Sequence, residues 1–389
     1  MFPLEGVRVL DLSRVVAGPF AGRMLSDLGA DVVKVEPPEG DVARVWGEQR
    51  HGVSGFFQQQ NAGKRDICVD LRTPEGVALV VSLATQAHVV IENFRAGVLG
   101  RLGLGWSVLG GANPSLVMCS ISGFGANGPD SDRAAYAPVI QAESGIVSRQ
   151  AILDHTSPTD PALSIADYDA GLHALVAVLS ALRCAERTGV GTWIDMSMVD
   201  AMLATDDYVH HSIDASPVDR LGGTYLQAGD GAWVLVSSPI KHLWRIATSV
   251  GVTSPVSPDA PVEERIAGRR RAIEAWVASH PTVDELTRTL DSLNVAWGLV
   301  RTMEEAISSP TAIHRGVVVQ VDDRSDTGST RGVVNSPYRF SAWDSGVRGG
   351  APRRGEHNDE VLREWLGFDD AAIGHLVHAG ALLREPIGR

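Results

Sequence analysis

Three places in this 389-residue chain gather side chains that could do chemistry. The first is Asp167, in Ser164-Ile165-Ala166-Asp167-Tyr168-Asp169-Ala170-Gly171, which opens a largely apolar helical pattern. A carboxylate in a helix's first turn is stabilised by the helix dipole and can serve simply as a cap. The same placement keeps a partly buried carboxylate ionised, and so able to act as a nucleophile. Asp169 competes for the capping role, and local pattern leaves both readings open. The second place is Ser13-Arg14-Val15-Val16-Ala17-Gly18-Pro19, between a strand pattern and a helix pattern. A Rossmann-like unit holds a dinucleotide at such a turn, but the GxGxxG glycines that admit a pyrophosphate are missing. The turn therefore reads as part of a Rossmann-like sheet without NAD or FAD, whose helix N-terminus could still help hold a phosphate. The third place is acid-histidine pairing: Asp154-His155, and His210-His211 beside Asp206-Asp207. Adjacent histidines on a helix diverge and no HExxH spacing occurs, so these read as surface or interface residues rather than metal ligands.

The elements around these places follow from periodicity. Residues 7–11 and 31–35 are short strand patterns flanking a helix over 19–28, with Pro near its first turn and Gly29 as its stop. This strand-helix-strand unit builds parallel sheets. Further strands are expected at 88–91, 115–121 and 192–196, with a helix capped by Thr73-Pro74-Glu75 and a long one over 167–186. The first ~200 residues thus alternate strand and helix, as in a helix-covered parallel sheet. Residues 199–211 continue as a helix. After residue 220 the texture changes to turn signals, short strands and helices near 243–250, 263–278 and 283–290. The expected division is 1–219 as the N-terminal part of a large domain, 220–325 as a small α+β domain, and 326–389 as a linker and return to the large domain. Residues 321–356 read as a surface stretch, followed by a helix at 359–365.

Composition limits the function classes. The formal net charge of −13 disfavours broad binding to nucleic acid or to an anionic membrane. The three cysteines are far apart and form no CxxC, which suits a reducing, cytoplasmic setting and no zinc site. The start lacks a signal-peptide pattern, and the apolar run 172–182 is too short to span a bilayer.

Several words in order along the chain then carry a resemblance. They are Leu4-Glu5-Gly6-Val7-Arg8-Val9-Leu10-Asp11, Leu28-Gly29-Ala30-Asp31-Val32-Val33-Lys34-Val35-Glu36, Asn61-Ala62-Gly63-Lys64-Arg65, Glu92-Asn93-Phe94-Arg95-Ala96-Gly97, Ala166-Asp167-x-x-x-Gly171, and Thr188-Gly189-x-Gly191. Together they resemble the class III CoA-transferases, the family of formyl-CoA transferase, carnitine CoA-transferase and the α-methylacyl-CoA racemases. The resemblance implies an α/β fold: a Rossmann-like large domain from the N- and C-terminal segments plus a smaller α+β domain, in an interlocked-ring homodimer. It implies an enzyme that moves coenzyme A from an acyl-CoA thioester to a free carboxylic acid, with Asp167 as the covalent acyl carrier. Coenzyme A is then a substrate, and no tightly bound cofactor is expected. Val15, Val16 and Ala17 would lie near the thioester and pantetheine arm, and Asn93 and Phe94 against the CoA body. Arg72, Arg95 and Arg101 would face its phosphates, which Arg binds well.

Two departures matter. Many relatives have Glu-Arg-Pro where this chain has Glu36-Pro37-Pro38, and formyl-CoA transferase has Gln at the position of Val16. The second puts formyl or oxalyl substrates in doubt. The racemases use a His in an Arg-Ala-Gly-His-Asp word, where this chain has Arg133-Ala134-Ala135-Tyr136-Ala137. A phenol is a poor general base at neutral pH, so Tyr136 favours transfer and reads as a substrate-positioning hydroxyl or as packing. Acyl-CoA racemase or epimerase, and a non-catalytic CoA-binding protein, are the alternatives. The turns at Gly222-Gly223 and Gly229–Gly231 are candidate oxyanion donors.

Overall fold

The computed structural model describes residues 1–216, 223–238, 240–325 and 327–384. They form two compact units, Met1–His210 with His314–Arg389, and His211–Ile313.

The first unit is built on a seven-stranded sheet. Its strands are β1 (Arg8–Asp11), β2 (Asp31–Glu36), β3 (Arg65–Val69), β4 (Val89–Glu92), β5 (Val117–Ser122), β6 (Thr192–Ser197) and β7 (Leu382–Leu383). Their spatial order is β7-β3-β2-β1-β4-β5-β6, parallel throughout except for β7, which pairs antiparallel with β3. Side chains alternate across the sheet. Val9, Val32, Val89, Ile91 and Val117 enter one core, and Leu10, Val33, Ile67, Val90 and Met118 the other. Burial on both faces explains why these strands read as apolar runs.

The first face is covered by α1 (Ala17–Asp27), α2 (Ala137–Glu143), α3 (Ile165–Thr188) and α4 (Met198–Thr205). The second is covered by Pro74–Ala84, Trp106–Ala112, Asn358–Leu366 and Asp370–His378. Strand order reverses between β1 and β4. At such a switch point the connections leave in opposite directions and open a crevice at the carboxyl ends of the strands, where sheets of this kind bind ligands. The turn before α1 and the Asn93-Phe94 word lie at that crevice.

Several expectations shift. The α1 helix starts at Ala17, two residues early, so Pro19 sits in its first turn. β3 had no sequence signal, because Arg65 and Asp66 interrupt its apolar pattern. The helix expected over 199–211 breaks after Thr205, where Asp206 accepts the Tyr208 N–H (2.8 Å) and pairs with Arg149, and resumes as Val209–Ile213. The stretch 321–356 contributes a strand, Thr330–Val334, antiparallel to Val318–Asp322. The apolar segment judged too short for a bilayer belongs to the 24-residue α3, which is long and apolar enough to cross one. A core helix passes the same test, and Ala166, Ala170, Ala174 and Val178 of α3 are buried in the core of this unit.

The second unit carries a three-stranded sheet, ordered Trp297–Leu299, Trp233–Val236 and Thr224–Gln227. Helices Ile240–Ser249, Val262–Ala278 and Val283–Ser292 pack on it around Leu226, Val234, Leu243, Ile273 and Leu286.

Candidate active site

Asp167 lies in the first turn of α3, whose N-cap Ser164 makes no side-chain cap bond. Its carboxylate accepts the N–H of Ala137, the first residue of α2. Burial pushes the Asp167 carboxyl up to about 6, against the pull of the Ala137 bond. The group therefore stays mostly ionised at neutral pH while being more basic than an exposed aspartate, which suits a nucleophile. Asp169 has a different task, since its carboxylate accepts the Thr205 hydroxyl (2.9 Å). α3 approaches α1 closely at Gly171, where a Cβ would stand 2.8 Å from the Ala17 carbonyl oxygen.

Asp167 borders a cleft of about 150 Å³ together with Val15, Ala17, Asn93, Phe94 and Tyr136. Arg14, Arg95 and Arg133 supply positive charge to the same cleft. A second cleft of about 190 Å³ is lined by Pro37, Asp41, Arg72 and Leu102, and shares Arg14 and Phe94 with the first. The Arg14 guanidinium lies over the Phe94 ring, 5.5 Å from its centre. Arg72 is tied to Asp70 (2.7 Å). Arg101 borders neither cleft, and Val16 is buried. Hence Val15, Ala17, Asn93, Phe94, Arg95, Tyr136 and Asp167 come together, Arg72 stands one cleft away, and Val16 and Arg101 stay apart. Gly222 lies outside the described residues, while Gly223 and Gly229–Gly231 belong to the second unit. Tyr136 is the N-cap residue of α2, and Ala137, at the acid position of the racemase word, offers its backbone to Asp167.

Sequence reasoning missed what lies beneath this turn. Val15 has φ +70°, a left-handed conformation that a β-branched residue rarely adopts. Its N–H is donated to both oxygens of Asp41 (3.1 and 3.3 Å). Arg14 and Asn93 exchange two hydrogen bonds, Arg14 N–H to Oδ1 (2.8 Å) and Nδ2 to the Arg14 carbonyl (2.7 Å). Ser13 donates its N–H and hydroxyl to Asp11, and its carbonyl accepts from Lys34 Nζ (2.7 Å). Lys34 also pairs with Asp41 (3.1 Å). Lys64 Nζ donates to Asp11, to the Pro19 carbonyl and to Asn61, at 2.7, 2.8 and 2.9 Å.

This buried floor sets cations against carboxylates. Burial pushes the Asp11 carboxyl up, but Lys64 and Lys34 outweigh it and hold the group below its ordinary value. Glu36 is likewise penalised by burial, yet its bonds to Arg44 bring it to about 2. Burial and neighbouring Glu36 push the Asp66 carboxyl well above its ordinary value, while Arg44 stands 3.7 Å away and the Gly355 N–H is donated to it (2.6 Å). Lys34, Lys64 and Arg44 then face Asp11, Glu36 and Asp41. Burial lowers Lys64 to about 8, which leaves it mostly charged at pH 7. On the β4 side Glu92 accepts the Phe94 N–H (2.7 Å), and burial lifts it to about 7. The available sequence signal was a charged residue inside an apolar strand word, Lys34 in Asp31-Val32-Val33-Lys34-Val35-Glu36.

Residues 4–358 match the model of CoA-transferase family III. The succinyl-CoA–D-citramalate CoA-transferase of Chloroflexus aurantiacus is 34% identical, with 95% of this chain and 96% of that protein covered. The succinate–glutarate CoA-transferase of Agrobacterium fabrum is also 34% identical, covering 93% and 95%. A crystallised CAIB/BAIF family protein from Brucella suis has the same fold, with a TM-score of 0.79, 32% identity, and coverage of 94% of this chain and 99% of its own. A likeness that runs nearly end to end in both sequence and fold settles the assignment that the ordered words suggested: the chain belongs to CoA-transferase family III and is an acyl-CoA:carboxylate CoA-transferase.

Proposed function

We propose that this transferase works through a covalent intermediate on Asp167. The observation that carries the reading is a half-buried carboxylate, raised to about 6, in the cleft beside the switch-point turn. The ionised carboxylate attacks the donor thioester carbonyl, the C–S bond breaks, and CoA leaves as its thiolate. The mixed anhydride left on Asp167 is attacked by that thiolate at the aspartyl carbonyl, which releases the donor acid and forms an aspartyl-CoA thioester. The acceptor carboxylate attacks the same carbonyl, expels thiolate and forms a second anhydride. The thiolate then attacks the acceptor's acyl carbon, which gives the new acyl-CoA and restores Asp167. Each step exchanges one acyl carrier for another, so a hard transfer becomes a series of easier ones.

The CoA phosphates are assigned to Arg14 and Arg95, with Arg72 at the second cleft. Succinyl-CoA is the proposed donor and a short dicarboxylic acid the acceptor, because the relatives above are named for succinyl groups, citramalate and glutarate. Arg133, stacked 4.6 Å from the centre of the Phe124 ring and paired with Glu143, is a cation in the Asp167 cleft that could meet a second carboxylate. The reading includes a homodimer with interlocked rings, which would cover the exposed Leu172 and Val176 of α3.

Incubation with succinyl-CoA followed by hydroxylamine should convert Asp167 to its hydroxamate, read by peptide mass. Full transfer activity in Asp167→Ala would refute the covalent role. Deuterium exchange at the α-carbon of a branched acyl-CoA would point to racemase chemistry instead.

A further inference from the structure

We infer that Lys34 is a positioning residue of the transfer reaction: with Asp41 as its partner, it holds the 13–17 turn in the strained conformation that faces Asp167. The inference rests on the proposed role of Asp167. Five consecutive backbone groups of this turn are held. The Ser13 N–H goes to Asp11, the Ser13 carbonyl to Lys34, both Arg14 groups to Asn93, and the Val15 N–H to Asp41. Two of the five depend on the Lys34–Asp41 pair. Lys34 donates to the Ser13 carbonyl directly, and its ammonium, 3.1 Å from Asp41 Oδ2, fixes the carboxylate that receives Val15.

Packing alone gives no reason for this ammonium. Lys34 is fully buried in a strand whose neighbours Val33 and Val35 are core residues. Burying a cation is unfavourable, and an apolar side chain of similar length commonly packs as well or better. The charged groups facing Lys34 are Asp11, Glu36 and Asp41, against the like charge of Lys64, with the Phe57 ring 5.9 Å from Nζ. That environment keeps the lysine charged, and its Nζ is aimed at the turn. Val15, the residue it indirectly secures, has φ +70°. Strained backbone persists only where its surroundings over-determine it, and such residues cluster at sites that need a set geometry. Val15 and Ala17 border the Asp167 cleft directly. A small displacement of that turn would move the thioester away from the carboxylate, and misplacement by about 1 Å can reduce a rate about 100-fold.

The test compares wild type with Lys34→Met, which keeps the length of the side chain and removes its charge and donors. Three quantities are read: the rate of Asp167 adduct formation from succinyl-CoA in a rapid-quench experiment, the equilibrium affinity for CoA, and the thermal midpoint. The expected result is an adduct rate lower by about 100-fold with CoA affinity changed by about threefold or less. The same substitution in a Val15→Gly background should lose about tenfold or less, because glycine takes positive φ without strain. Should Lys34→Met fail to fold, Asp41→Asn carries the same expectation, since it keeps an acceptor for Val15 but removes the ionic pair. An unchanged adduct rate with only a lower midpoint would overturn the inference, as would an equal loss in both backgrounds. Absence of any adduct in wild type would refute the Asp167 proposal instead. In that case the ratio of steady-state kcat to CoA affinity still decides the role of Lys34.

Discussion

Replacing Asp167 by Asn should abolish transfer and make the protein more stable, in a way that depends on pH. In the fold burial raises the Asp167 carboxyl from 3.8 to about 6. An acid with a raised value binds its proton more tightly folded than unfolded, so ionising it destabilises the fold. The penalty is complete above about pH 6 and disappears below the unfolded value. At ~1.4 kcal/mol per tenfold difference in proton affinity, the two states differ by about 3 kcal/mol at pH 7. The penalty falls to about 1.5 kcal/mol at pH 5 and about 0.5 at pH 4. Asn keeps an acceptor for the Ala137 N–H but brings an NH₂ group that wants a partner, and solvent screens a half-buried site, so a net gain of about 1–2 kcal/mol at pH 7 is expected. For a unit of this size that is roughly 2–3 °C in midpoint. Thermal denaturation of both proteins at pH 7.5, 5 and 4 should show Asp167→Asn ahead at pH 7.5 and the two converging towards pH 4. A variant no more stable than wild type at pH 7.5, or ahead by the same margin at every pH, would refute the argument that burial perturbs this carboxylate.

Three further outcomes follow from the same geometry. The kcat/KM for acyl-CoA should fall about tenfold for each step of one in pH below about pH 6 and level off above it; Glu92→Gln, which removes the other raised carboxyl at the crevice, should leave that limb in place. Gly171→Ala would ordinarily strengthen a helix, but its Cβ would stand 2.8 Å from the Ala17 carbonyl oxygen and 2.9 Å from the Phe20 ring. A loss of about 1–3 kcal/mol in a denaturant melt is expected, with lower kcat because Ala17 borders the cleft. Arg14→Ala removes a guanidinium that has no carboxylate partner among the described residues and borders both clefts; KM for CoA thioesters should rise about tenfold and depend less on salt.

Most of the sheet was legible because strands buried on both faces read as short continuous apolar runs bounded by turn signals. β1, β2, β4, β5 and β6 fall within about two residues of where the pattern puts them. The failures share a cause. Arg65 and Asp66 begin β3, and charge at a strand's start reads as loop. Here Asp66 is fully buried, and Arg65 pairs with Asp31 at the start of β2. The break after Thr205 was equally hidden, because the residue that makes it, Asp206, acts through Arg149 more than fifty positions earlier. Two-residue β7 has too little pattern to see and exists through its pairing with β3.

The site divides along the same line. Asp167 was visible as a word, and Asn93 and Phe94 as a neighbour of β4, because each is a local signature. Lys34 and Lys64 were in view within those words but carried no assignment, since their meaning, like that of Asp41, lies in which distant group each one meets. A lysine inside an apolar strand is a contradiction on local grounds alone. It resolves only when Asp41 arrives from the loop after β2, Asp11 from the end of β1, and the Ser13 carbonyl from the turn that follows. Such a floor acts as a unit. Lys34, Lys64 and Arg44 are each set against Asp11, Glu36 or Asp41, and removing any one of them would leave a buried charge without its partner, a loss of about 3–5 kcal/mol in comparable cases. The turn above it can therefore hold a strained Val15 beside Asp167 without support from local sequence, which is why neither the strain nor its cause could be read from the residues of the turn.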